Sequence, residues 1–146
     1  RLFAMSMTRT RVLGVQMYKH NIEGFLHWGY NFYYSRLSKR LIDPFTESDA
    51  DKAFPSGDSY IVYPAKDGTP YPSLRLMVFY DALQDMAALR TLEKYEGKHI
   101  CLEIIEENCK HKITFSDYPH DNDWLLSTRE KVNERIKKAT YKHIIS

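Results

Sequence analysis

Only two cysteines, Cys101 and Cys109, occur in the 146 residues. That is too few for a disulfide scaffold and says little about compartment. Long apolar runs are also missing. None approaches the roughly 20 residues that span a bilayer, so no membrane partner is expected. Neither sign of charge dominates: 21 Lys and Arg stand against 19 Asp and Glu, a formal net charge of +2. Nothing in that balance demands nucleic acid or an anionic surface. Internal repeats and low-complexity stretches are absent as well. What the chain has in quantity is aromatic side chains, 14% of residues with 11 tyrosines. Rings with a polar tip suit a core as well as a carbohydrate or base platform, so composition leaves both open.

The chain opens Arg1-Leu2-Phe3 without an initiator Met, and we expect a piece of a longer or processed polypeptide. Thr8 to Lys19 reads as a helix, with Val12, Val15 and Gln16 at helical spacing and His20-Asn21 as its stop. Ile22 to Trp28 is bulky, short and punctuated by Gly29, which predicts a strand buried on both faces. Residues 31–55 read as loop, with two helical turns over Ser35–Ile42. Ser56-Gly57-Asp58 is a turn, Ser59–Tyr63 a second strand stopped by Pro64, and Lys66–Pro70 a tight turn. Ser73 is a good N-cap for a long helix to about Tyr95, apolar on more than one face and therefore expected to be mostly buried, and closed by Gly97. A short helix over Ile100–Glu107 and a charged one from Asp121 to about Lys142 follow, with residues 113–119 irregular or a short extended piece between them. The order helix, strand, loop, strand, helix points to βα units around a parallel sheet. Two strands alone make no stable sheet, so neighbouring strands are expected from elsewhere.

The run Gly24-Phe25-Leu26-His27-Trp28-Gly29-Tyr30-Asn31-Phe32-Tyr33 resembles the penultimate-strand motif of glycoside hydrolase family 123 and a related barrel family. Further matches keep the same order: Asp43-Pro44, Gly57-Asp58 leading into Ile61-Val62-Tyr63-Pro64, then Ser73-Leu74-Arg75 opening a helix with Asp81-Ala82-Leu83-Gln84-Asp85 and Leu89. Upstream, Arg9-Thr10-Arg11 and Leu13-Gly14 look like the preceding helix. The resemblance covers residues 1–96 and is looser beyond. It implies an α/β fold, the C-terminal portion of a (β/α)₈ barrel, with residues 97–146 as an added helical extension and the remaining N-terminal part of the parent chain as a partner. It also implies hydrolysis of β-linked N-acetylhexosamine, of the N-acetylgalactosamine type, by a substrate-assisted retaining mechanism. In that mechanism the acetamido oxygen of the substrate attacks the anomeric carbon. An Asp orients it, and an adjacent Glu acts as acid, then base. No adjacent Asp-Glu occurs here, so no catalytic residue is assigned. The only adjacent acidic pair, Glu106-Glu107, reads as solvated surface. The segment after Trp28 also lacks a full crossover helix.

Barrel active sites lie at the C-terminal ends of strands. The resemblance therefore points to Trp28, Tyr30 and Asn31, with His27 and Tyr63, as sugar-contacting residues. An indole face packs on the C–H face of a pyranose, and an Asn amide both donates to and accepts from hydroxyls. The blander reading puts Trp28 and Tyr63 in the core, Asn31 in a turn cap and His27 in a structural hydrogen bond. Arg75, Asp81 and Asp85 read as structural, since a buried guanidinium needs partners. His99, Cys101, Cys109 and His111 do not have a usual zinc spacing, so neither metal nor cofactor is expected. Tyr30, Phe32, Tyr33 and Tyr34 beside Arg36, Lys39 and Arg40 are consecutive rather than spread over strands, which speaks against nucleic acid. The expected partner is an N-acetylhexosamine-containing glycan. The competing readings are a non-catalytic carbohydrate-binding or structural barrel and a free-standing α/β adaptor.

Overall fold

The helical pattern of the opening residues is realised in two pieces. The structure, a computed structural model, describes residues 2–145, with side chains to Lys142. Helices α1 (Met7–Arg11) and α2 (Leu13–Lys19) flank Val12, whose φ of −58° and ψ of −20° keep the chain nearly helical. Asn21 ends α2 at a φ of 55°. The Ile22 amide donates to the Met17 carbonyl at 2.9 Å and the Asn21 amide to the Tyr18 carbonyl at 3.3 Å, the paired bonds of a left-handed helix cap. The sheet has two strands, β1 (Val62–Pro64) and β2 (Pro70–Pro72), antiparallel with Tyr63 opposite Tyr71. Helix α3 (Leu74–Glu96) starts on Ser73, whose hydroxyl accepts the Leu76 amide at 3.3 Å. Gly97 separates α3 from α4 (Lys98–Glu106), and α5 (Asn122–Ile145) follows an Asp121 carboxylate that accepts the Asp123 amide at 2.9 Å.

The chain divides into two compact units, one of residues 1–10 and 24–80, the other of residues 11–23 and 81–146. The helical unit has an aliphatic core. Val15, Leu89, Leu92, Ile105, Leu125 and Val132 are fully enclosed, with Tyr18 and Cys101 among them. Burying a side chain such as Leu92 stabilises a fold by about 2–3 kcal/mol. Asp85, 4% exposed, is held between Arg11 at 2.7 Å and Arg129 at 2.8 Å. The bond to Asp85 raises the Arg11 pKa, against the burial that lowers it. Lys19 bridges Glu106 and the Ile113 carbonyl, so Glu106 is a half-buried ion-pair partner rather than open surface; its neighbour Glu107 pairs with Lys131.

The other unit is aromatic and mostly irregular. Tyr60 is fully buried at its centre, and its hydroxyl donates to the Pro44 carbonyl at 2.8 Å. The Tyr33 hydroxyl donates to the Val62 carbonyl, also at 2.8 Å. Residues 57–62 are all buried, but of the strand expected over Ser59–Tyr63 regular pairing is confined to β1 and an isolated bridge between Asn31 and Tyr60. β1 and β2 run antiparallel because the Ala65–Thr69 turn is far too short for a parallel crossover.

Four expectations need correction. Residues 22–28 form no strand, and Phe25 and Leu26 are exposed, Leu26 at 89%. Strand pairing is non-local, and among the described residues no segment pairs with this run. The two turns expected over Ser35–Ile42 shrink to a 3₁₀ turn at Arg36–Ser38, because Leu37 and Ser38 have positive φ. Helix α3 buries one stripe, including Ala82, Asp85, Ala88, Leu89 and Leu92, while Leu74, Met77 and Leu83 face solvent. Finally, Arg75, expected to draw its partner from Asp81 or Asp85, donates instead to the Gly57 carbonyl, while Asp85 pairs with Arg11 and Arg129.

Candidate functional site

Two backbone segments of the aromatic unit frame Trp28, Tyr30 and Asn31. Residues 29–32 lie against residues 58–62: the Phe32 amide donates to the Ser59 carbonyl at 3.0 Å, and the Ile61 amide to the Tyr30 carbonyl at 2.9 Å. Gly29 makes this approach possible, since a Cβ there would run into the Asp58 carbonyl. Gly57, at a φ of 82°, closes the turn in which the Asp58 amide donates to the Pro55 carbonyl at 2.9 Å.

Trp28 sits at the edge of this pairing. Its indole N–H donates to the Asp58 carboxylate at 3.2 Å. Its ring is tilted against Phe54 at 4.9 Å and Phe32 at 5.7 Å between centroids, and Phe32 continues to Tyr34. With two rings and one hydrogen bond fixing it, the indole keeps 46% of its surface accessible. Tyr30 and Asn31 are exposed, their backbones tied to residues 60–62.

Tyr63 belongs to a second ring group. It packs on Phe45 at 5.1 Å and on Tyr60 at 5.3 Å, and Tyr60 meets Tyr33 at 5.8 Å. Burial pushes the Tyr60 hydroxyl up to about 12, helped by Tyr63, and burial raises Tyr33 too. Arg75 is enclosed beneath these rings. It donates to the Gly57 carbonyl and lies 4.7 Å from the Phe3 ring centre and 5.7 Å from that of Tyr60. Burial lowers its pKa against the opposing pull of Tyr63 and Tyr60. His27 is half-buried and stacks on Phe79 at 6.1 Å, beside Phe25 on the same ring.

The five predicted residues are thus not gathered in one place. Trp28, Tyr30 and Asn31 share one edge. Among the described residues no ring pair joins the Trp28 group to that of Tyr63, and His27 belongs with Phe79. Sequence reasoning missed Phe54 and the role of Asp58. Asp58 was visible as half of the Gly57-Asp58 pair, but nothing local says that it reaches 30 residues back to an indole. Phe54 carried no signal.

Among the described residues no group of three His, Cys, Asp or Glu side chains is placed to hold a metal ion. No described helix is long and apolar enough to cross a membrane. Cys101 and Cys109 point their thiols at the carbonyls of Leu89 and Ile105, and burial pushes both thiol pKa values up. That is the opposite of what a metal ligand or nucleophile needs.

Comparison with known proteins identifies a family. The family model for the glycoside hydrolase 123 catalytic domain aligns with residues 1–92, and no curated protein matches the chain. The matched span takes in the whole aromatic unit with Trp28, Asp58 and Arg75, as well as α1, α2 and most of α3. The chain therefore belongs to the glycoside hydrolase 123 catalytic-domain family.

Proposed function

We propose that this chain supplies the sugar-contacting edge of a glycoside hydrolase acting on β-linked N-acetylhexosamine glycans, of the N-acetylgalactosamine type. Family membership gives the reaction class, hydrolysis of a glycosidic bond. The observation that carries the finer reading is Trp28: an indole fixed at its N–H and by two rings, yet half open to solvent beside exposed Tyr30 and Asn31. Such a ring offers a flat apolar surface to the C–H face of a pyranose at little conformational cost. Asn31 supplies donor and acceptor to the hydroxyls that remain.

In this reading residues 1–96 are the C-terminal portion of a (β/α)₈ barrel, and residues 97–146 a helical extension. The exposed Phe25 and Leu26, and the bare Leu74 and Met77 on α3, are the surfaces that neighbouring strands and helices of the parent chain would cover. The parent chain also supplies the Asp-Glu pair of the substrate-assisted retaining reaction, and this chain holds and orients the sugar.

Calorimetric titration of the full chain with methyl N-acetyl-β-galactosaminide tests the reading. Saturable binding on the order of millimolar is expected. Trp28→Ala, with an unchanged circular dichroism spectrum, weakens it at least about tenfold. Equal binding by that variant, or no binding of any N-acetylhexosamine, would overturn the assignment.

A further inference from the structure

We propose that Asp58 is a positioning residue for sugar recognition, holding the Trp28 ring at the angle at which a pyranose stacks on it. The inference rests on the sugar-binding reading of Trp28 and assigns the group that makes that ring competent.

An indole has a single hydrogen-bond donor and two side-chain torsions. Phe54 and Phe32 flank the Trp28 ring at tilts of 58° and 57°, so they resist its translation. Tilted contacts alone leave rotation about the side-chain torsions less constrained, because ring packing is weakly directional. The N–H to Asp58 bond supplies the missing direction at 3.2 Å. A carboxylate acceptor makes it stronger than a neutral pair would be. Asp58 itself cannot follow a moving ring. It is 8% exposed, its amide is bonded into the turn after Pro55, and Gly29 lets the backbone after Trp28 lie directly on the Asp58 carbonyl. The residue before Asp58 is anchored too, since the Gly57 carbonyl accepts from Arg75. Donor and acceptor are thus carried by two segments pinned to each other within four residues of the bond, and the exposed indole surface is preset before ligand arrives.

The test is a ¹⁵N–¹H spectrum of the full chain, which shows one indole N–H signal for Trp28 and one for Trp124. Trp28→Phe assigns them. Each form is then titrated with methyl N-acetyl-β-galactosaminide. In the unsubstituted chain the Trp28 signal lies downfield and moves saturably with sugar. In Asp58→Ala it moves toward the position of a solvent-exposed indole, and the sugar affinity falls at least about fivefold. In Asp58→Asn, which keeps an oxygen acceptor, both the downfield signal and the affinity return to within about twofold of the unsubstituted chain. These two factors correspond to about 1 and 0.4 kcal/mol. The Trp124 signal stays in place in all forms, which separates positioning from general unfolding. Undiminished affinity in Asp58→Ala, or failure of Asp58→Asn to restore it, overturns the role of Asp58. A Trp28 signal in the unsubstituted chain that ignores sugar overturns instead the sugar-binding reading itself.

Discussion

The two units hold themselves together by different physics. In the helical unit, Leu89, Leu92, Ile105, Leu125 and Val132 exclude water from helices that already satisfy their own backbone groups. In the aromatic unit there is little regular structure to satisfy the backbone. Order there comes from single directed bonds: Tyr60 to Pro44, Tyr33 to Val62, Arg75 to Gly57, Trp28 to Asp58. The exposed large apolar side chains follow the same division, most of them lying in the aromatic unit. Aliphatic burial is tolerant of direction and closes a core. Directed bonds between loops hold rings in fixed attitudes without covering them, which is what a ligand surface requires.

Substitutions should separate the two modes. The largest effect is expected from Leu92→Ala, which empties a 0% exposed position in the helical core. A loss of about 4 kcal/mol is expected by urea unfolding, with hydrogen-exchange protection falling first in residues 81–146. A loss below about 1 kcal/mol would mean that the aliphatic cluster does not close this unit. Gly29→Ala comes next. Its Cβ meets the Asp58 backbone, so the two loop segments must part, at a cost of roughly 2 kcal/mol. Protection should drop in residues 29–32 and 58–62, and the Trp28 indole signal should shift with it. Tolerance of the methyl group would contradict the close approach.

The smallest effect concerns acid. Burial pushes the Glu106 carboxyl up, but Lys19, the Ile113 amide and Lys112 together hold it below the ordinary carboxylate range. A folded-state pKa below the unfolded value of about 4.3 gives stability that is present above that pH and lost as pH falls through the folded value. Glu106→Gln should therefore flatten the acid limb of the stability curve below about pH 4.3 while leaving its shape near neutrality unchanged. An unchanged acid limb would remove Glu106 from the ion-pair account.

The contrast also explains what could be read from the sequence. Helical elements carry their own signals, and these were legible: the Thr8–Lys19 helix with Asn21 as its left-handed cap, Ser73 opening α3, Gly97 closing it, and α5 from Asp121. Periodicity did not say how much of α3 would be covered, because Leu74 and Met77 are apolar whether or not a neighbour is present. Residues 22–28 have the composition of a buried strand, but pairing depends on a partner that no local pattern encodes. Positive φ at Ala50, Asp51 and Lys52, and at Leu37, has no residue-type signature, so the loop path to Phe54 stayed invisible. Of the candidate site, Trp28, Tyr30 and Asn31 were legible through their place in the family motif. The anchoring of Trp28 by Asp58 was not, since a bond across 30 residues depends on two turns and a glycine contact acting together.

Emission from a single tryptophan reports whether a sugar meets the Trp28 ring. In a Trp124→Phe chain excited beyond the absorption of its 11 tyrosines, Trp28 is the emitting residue, and titration with a β-linked N-acetylgalactosaminide should change its intensity along a saturating curve, with glucose at the same concentrations producing far less. A flat response to the aminosugar, in a chain whose circular dichroism matches that of the unsubstituted protein, would contradict the assignment of this edge to sugar.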